Sequence, residues 1–251
     1  MSRKGIEKIT LLLFVLLLSM VGVVVLGAEY FQIEHVEISG NQDISKEEII
    51  KLSGIQKYEN IFKLDKTLVK KRLESNPYIQ VEDIGRNYPN GVYICVRERK
   101  KKAVIPYLTS NIVIDTQGIV LEIANEKQTY EYPVVKDLHV KSFAKGEQII
   151  AGDSYQFRAL LRVLEGIYNQ EIEDMVDEIH IQNPDNIYIL AEKNIKIKLG
   201  QAIDVDNKLK WLKTDEFKQL EPDLLSEWVF DISIPGKAIF SPVLDWGDSY
   251  E

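Results

Sequence analysis

The sequence predicts an α+β protein: a single N-terminal transmembrane helix, a β-α-α-β-β unit, and then a mostly antiparallel β domain with two flanking helices. Three observations predict it. An uncharged apolar run from Ile9 to Leu26 opens the chain. Two capped helices followed by a hairpin lie between Phe31 and Arg99. Short alternating strands broken by two amphipathic helices fill the region from Ala103 to Pro242. The reading divides the 251 residues into a cytoplasmic tail (1–8), the helix (9–28), two modules (31–99 and 103–242) and an acidic tail (243–251).

The apolar run holds roughly 18 residues, enough at 1.5 Å per residue to cross a hydrocarbon layer about 30 Å thick. A cleaved signal peptide normally has a shorter apolar region ending at a small-x-small site, and Leu26, three residues before a cut after Ala28, fits that pattern poorly. Arg3, Lys4 and Lys8 precede the run while Glu29 and Glu34 follow it. The positive-inside bias therefore keeps the N-terminus in the cytoplasm and the modules outside the cell membrane.

In the first module Ile33, His35, Val36 and Ile38 make a strand ending at Gly40-Asn41. Ser45 and Glu48 form a capping box, with Ile44 and Ile49 at staple positions, and Gly54 closes that helix. A second helix starts at Asp65, with Leu68 and Leu73 expected inward, and stops at Asn76-Pro77. Strands over 78–88 and 92–99 flank Pro89-Asn90-Gly91, a hairpin signal. Val92, Ile94 and Val96 alternate with Tyr93, Cys95 and Arg97, so one sheet face is buried beneath the helices. The basic run from Arg97 to Lys102 reads as a solvated strand end and hinge, with contact to an acidic partner as the alternative.

The second module opens with a meander of three strands over 103–108, 112–115 and 118–123. Asp153 then precedes a helix with Phe157, Leu160, Leu161, Leu164 and Tyr168 on one stripe. Strands over 176–181, 187–190 and 195–199 follow, the last alternating Ile195, Ile197 and Leu199 with Lys196 and Lys198. A helix over about 205–220 places Leu209, Leu212 and Phe217 inward. Strands over 228–233 and 237–241 close the domain across Ile234-Pro235-Gly236, and residues 134–148 match no pattern.

Composition narrows the function. Hydrophobic residues at 45% and charged residues at 28% exclude general disorder and a polytopic membrane protein. The formal charge of −8, more acidic still beyond Ala28, argues against nucleic acid. Cys95 is the one cysteine, and His35, His139 and His180 are scattered, so a thiolate metal cage, a dithiol pair and a His-Glu-x-x-His helix cannot be written. Ser142-Phe143-Ala144-Lys145 fits the Ser-x-x-Lys of penicillin-binding proteins. The companion motifs are missing, Lys213-Thr214-Asp215 being the nearest to Lys-Thr-Gly, and Gly146 opposes a helix there. The sequence thus predicts no enzyme, no cofactor, no metal and no small-molecule substrate.

The order of features is specific. The basic tail and span are followed by 31–41, the two capped helices, Asn76-Pro77-Tyr78-Ile79, Tyr88-Pro89-Asn90-Gly91 and Arg97-Glu98-Arg99. Next come Ile114-Asp115-Thr116-Gln117-Gly118, Ile197-Lys198-Leu199-Gly200, Phe230-Asp231-Ile232-Ser233 and Gly236-Lys237-Ala238-Ile239-Phe240. Together they resemble the FtsQ family of bacterial cell-division proteins, called DivIB in Gram-positive bacteria, over essentially the whole chain. The resemblance implies a POTRA domain over 31–99, an FtsQ/DivIB β domain over 103–242 and a non-enzymatic scaffolding role at the division septum. It also implies partners, the FtsB/DivIC-like and FtsL-like bitopic division proteins, bound outside the membrane. In that family the partner adds a strand beside the last strand of the β domain, which the resemblance carries over to Lys237, Ala238, Ile239, Phe240 and Ser241, with Tyr188 as an expected second contact. An open edge strand suits that role physically, because it offers backbone donors and acceptors. The competing readings are a POTRA-bearing transport or assembly factor, which lacks a downstream barrel pattern here, and a membrane-tethered cell-wall enzyme centred on Ser142.

Overall fold

The computed structural model describes residues 3–125, 131–191, 195–219 and 228–242, those at 3–10, 23–28 and 241–242 by backbone alone. The expected acidic tail lies outside the described residues. Helix α1 runs Arg3–Tyr30. Among the described residues no helix is long and apolar enough to cross a membrane. The side chains described within the apolar run, at 11–22, cover only about 18 Å of helix. The chain otherwise divides into two compact units, Met1–Arg99 and Lys100–Glu251, both of mixed α and β structure.

The first unit contains β1 (His35–Ser39), α2 (Lys46–Ser53), α3 (Lys66–Leu73), β2 (Ile79–Asn87) and β3 (Gly91–Glu98). Its sheet order is β1-β3-β2, with β1 parallel and β2 antiparallel to β3. The caps form as the sequence dictates. Ser45 accepts from the Glu48 N–H at 3.2 Å, Gly54 adopts a left-handed φ of 66°, and Asp65 accepts from the Thr67 and Leu68 N–H groups. Val92, Ile94 and Val96 are buried with Ile49, Val69 and Leu73, so the helices cover one sheet face.

Leu68 corrects one expectation: it is 43% exposed, and Val69 takes the inward place. On so short a helix the buried face is set by the Val69–Leu73 spacing, and Leu68 is turned about 100° away from it. The end of β3 carries an anchor that charge counting does not reveal. The Glu98 carboxylate accepts from the backbone N–H groups of Gln42, Asp43 and Ile44 at 2.6, 2.9 and 3.0 Å, tying the β1–α2 loop to the sheet. The basic run is likewise engaged at home. Arg97 pairs with Glu82 in the first unit. Within the second, Lys101 meets Glu122 at 2.7 Å, and Lys102 meets Glu173 at 2.5 Å with the Tyr168 ring 4.1 Å from its ammonium.

The second unit has β4 (Ala103–Tyr107), β5 (Ser110–Ile114), β6 (Val120–Asn125), β7 (Val134–Lys136), β8 (Val140–Ser142) and β9 (Ile150–Ala151). These are followed by α4 (Ser154–Asn169), β10 (Val176–His180), β11 (Ile187–Ala191), β12 (Ile195–Gly200), α5 (Val205–Leu209), α6 (Asp215–Lys218), β13 (Trp228–Asp231) and β14 (Ile239–Pro242). Among the described residues nine strands form one sheet in the order β14-β13-β12-β11-β10-β7-β4-β5-β6, while β8 and β9 pair separately. The expected antiparallel character holds within the meander, along β10-β11-β12 and between β13 and β14. The joins are parallel: β4 to β7, β7 to β10 and β12 to β13.

The segment that matched no pattern therefore supplies a central strand. β7 joins the meander to the rest of the sheet, although three residues give no readable periodicity. On α4 the buried stripe is Phe157, Leu160, Val163, Leu164 and Ile167. Leu161 is only partly covered and Tyr168 is 49% exposed, because at 3.6 residues per turn Val163 and Ile167 continue the core face. The helix expected over 205–220 is broken: α5 passes into a 3-10 turn at Lys210–Lys213, and Thr214, in extended backbone, caps α6 by accepting from the Phe217 N–H. Leu209, Leu212 and Phe217 are nevertheless buried as expected.

Candidate functional site

The border at β14 is built by a tight turn. The Lys237 N–H donates to the Ile234 carbonyl at 3.1 Å and Gly236 takes φ +76°, which reverses the chain after β13. The hairpin register is Trp228↔Pro242, Val229↔Ser241, Phe230↔Phe240 and Asp231↔Ile239. Lys237 and Ala238 thus belong to the turn rather than to the strand, and the strand ends at Pro242. Among the described residues β14 pairs with β13 alone, so its other side is a sheet border.

Two cross-strand rows reach this border, one on each face. The inner row runs Val135, Ile179, Ile189, Ile197, Phe230 and Phe240. The first five are buried, and Phe240 is 44% exposed. Its ring centroid lies 5.3 Å from that of Phe230, which in turn lies 5.4 Å from that of Phe217. Ala238 is half-buried against the same core. Among the described residues the hydrophobic row therefore outruns its covering by one aromatic ring.

The outer row runs Lys136, His180, Tyr188, Lys198, Asp231 and Ile239. The register brings together two expected contacts that are far apart in sequence, Tyr188 and Ile239. Between them Lys198 Nζ lies 3.5 Å from Asp231 Oδ2, and Asp231 also accepts from the Ser233 N–H at 2.8 Å. Tyr188 Oη accepts from Asn186 Nδ2 at 3.0 Å. Farther along, Glu178 reaches Lys136 at 3.4 Å and His180 Nε2 at 3.0 Å, while His180 Nδ1 lies 3.5 Å from Asp137. Lys198 is thus paired with Asp231 and Lys136 with Glu178, and the row ends in Ile239, 56% exposed. Such a border recognises by backbone pairing and apolar contact more than by charge.

Of the expected site residues, Ile239 and Phe240 stand on opposite faces of the border strand, and Tyr188 stands three strands inward on the face of Ile239. Lys237 is exposed in the turn. Ser241 pairs with Val229 through its backbone. Trp228 and Ile234, 41% and 56% exposed, flank the same hairpin and were missed. The alternation of Trp228 and Phe230 against Val229 and Asp231 was the available signal for Trp228. Ser142 lies in β8 opposite Ile150, and the chain leaves it in extended and turn backbone. No helical turn brings Lys145 to it.

Comparison with known proteins agrees with this architecture. Residues 31–99 match the model of the FtsQ-type POTRA domain, and residues 103–234 match that of the C-terminal region of the cell division protein FtsQ/DivIB. The chain is similar to the cell division protein DivIB of Clostridium tetani, 30% identical over 195 residues, covering 78% of this chain and 73% of that one. DivIB of Clostridium botulinum strain Hall is 28% identical over 243 residues, covering 95% and 92%. The cell division protein FtsQ of Syntrophotalea carbinolica is 27% identical over 193 residues, covering 76% and 67%.

Proposed function

The chain belongs to the FtsQ/DivIB family of cell division proteins, and on that premise we propose that it is a single-pass scaffold that holds bitopic partners outside the membrane during septum assembly. The family is non-enzymatic. In this reading the helix containing Ile9 to Leu26 is the anchor, and the basic residues ahead of it keep the N-terminus in the cytoplasm. The partners are FtsB/DivIC-like and FtsL-like proteins, and the docking element is β14.

The observation that carries the docking reading is the open side of β14, with Ile239 exposed on one face and Phe240 on the other. A segment added there satisfies the strand's outward backbone groups and covers both side chains in one step. On the outer face the residue next inward from Ile239 is Asp231, which is paired with Lys198.

The test is binding of the purified full-length chain to an FtsB/DivIC-like partner, with Ile239→Pro as the variant. The Ile232 N–H donates to Lys198, which leaves Asp231 facing Ile239, so proline at 239 removes the donor that pairs β14 with β13 and undoes the border strand. Binding is expected to be abolished while the first unit stays folded. Unchanged affinity overturns strand addition. Alkaline extraction of membranes tests the anchor separately, since release of the full chain into the soluble fraction overturns single-pass insertion.

A further inference from the structure

We propose that an aromatic ladder at the foot of the first unit, Tyr30, Phe31, Phe62 and Tyr88, is a lipid-binding surface that seats this unit on the headgroup layer of the bilayer. The inference rests on the anchoring reading above and adds to it a second, peripheral contact.

The ladder begins where α1 ends. Tyr30 is the helix's last residue, and its ring packs edge-on against Phe31 with centroids 5.3 Å apart. Phe31 packs on Phe62 at 5.0 Å and Phe62 on Tyr88 at 5.7 Å. Backbone pairing fixes the arrangement. The Ile61 N–H donates to the Phe31 carbonyl at 2.8 Å and Gln32 bridges Asn60, so the exit of the helix is stitched to the segment that carries Phe62. Only Phe31 leans on the unit's core. Tyr30, Phe62 and Tyr88 are 64, 56 and 58% exposed.

Three large exposed rings in one contiguous stack make an apolar patch of the kind that marks an interaction surface. Its position selects the occupant. Tyr30 follows Leu26, the last large apolar residue of the run, by four positions, about 6 Å along a helix. If that run fills the hydrocarbon layer, Tyr30 lies at headgroup depth, and rings stacked directly on it lie close to the same plane. The chemistry fits that zone, where aromatic rings with a polar tip, as in Tyr30 and Tyr88, are favoured. Continuity with the inserted helix argues for lipid over a second copy of the chain.

The experiment uses the full chain in vesicles of phosphatidylglycerol and phosphatidylethanolamine, in a Cys95→Ser background. A nitroxide is placed at Lys63→Cys beside the ladder, or at Glu47→Cys on α2 as reference. Oxygen, which partitions into lipid, and a water-soluble nickel chelate report depth. The expected result is protection of the position-63 label from the nickel reagent with retained oxygen access, and none for position 47. Phe62→Ser with Tyr88→Ser should abolish the protection, and Phe62→Trp with Tyr88→Trp should keep it. These rings are exposed, so the variants leave the fold intact.

Equal nickel access at both positions in vesicles that float with the protein overturns the ladder while leaving the anchor standing. Protein that fails to float overturns both readings. A position-63 label shielded from both reagents points to a protein contact and also overturns the proposal.

Discussion

The ring of Phe240 packs against that of Phe230 at 5.3 Å, and the first is 44% exposed while the second is 6% exposed. The pair marks the place where the core row meets the open border, one ring sealed and the next bare. Replacing Phe240 by Ser should therefore separate folding from binding. Loss of the ring pair, together with the share of the side chain already covered, costs the module about 1–3 kcal/mol. With only the exposed 44% of the side chain left to cover, its loss weakens an added strand by about 0.7–1.3 kcal/mol, roughly 3- to 10-fold in affinity. Urea unfolding and calorimetric titration with a partner peptide read the two effects side by side.

Glu98 should behave as a structural anchor despite its place in a charged run. With Ala in its place the N–H groups of Gln42, Asp43 and Ile44 lose their shared acceptor, at a cost of about 1–3 kcal/mol. Native-state amide exchange should show these three positions opening first, before the amides of β3.

Two glycines in left-handed backbone should respond differently to alanine. At Gly40, φ +84°, an added Cβ falls 1.9 Å from the Val96 carbonyl oxygen, so the backbone must shift. At Gly236, φ +76°, nothing lies within 4 Å. Gly236→Ala should cost about 1–2 kcal/mol, the ordinary price of that conformation, and Gly40→Ala more. Thermal unfolding of the two variants checks the order.

Lys208 gives the second unit a pH dependence. It is 2% exposed and donates to the carbonyls of Leu199 and Gln201 at 3.1 and 2.8 Å. Burial pushes its ammonium pKa below the usual lysine value, with Asp204 and Asp231 opposing. Below the lowered folded value both states are protonated and the penalty is constant. Between that value and the unfolded one, near 10.5, the unfolded chain holds more protons, so this group's contribution to stability rises with pH. Lys208→Met should remove that rise, read as the difference in urea midpoint between about pH 8 and about pH 10 in the two proteins.

The sequence was most informative where local rules act alone. Ser45, Gly54 and Asp65 set helix ends through their own side chains or backbone freedom, and each cap formed at the expected residue. Alternation likewise found the buried faces of β3 and β12. Leu68 and Tyr168 went astray because a short helix, or the end of a long one, takes its inward face from neighbours that periodicity does not identify. β7 was missed for the same kind of reason, since Val134–Lys136 becomes a strand only by lying between two others. At the border, Ile239 and Phe240 were legible as alternating apolar residues. Their alignment with Tyr188 and Phe230 was not, because register across parallel joins is a property of the assembled sheet.

β7 also makes one sheet out of two strand groups. Its neighbours β4 and β10 lie on either side of it in the chain, each separated from it by a long intervening stretch, and both pairings are parallel. The hairpins of the meander close over short loops, and among the described residues β7 alone joins them to the rest of the sheet. The continuity of the wall that ends in β14 therefore hangs on its middle, and a fault at Val135, buried and paired with Ile179, would loosen two half-sheets from one another at a distance from the border itself.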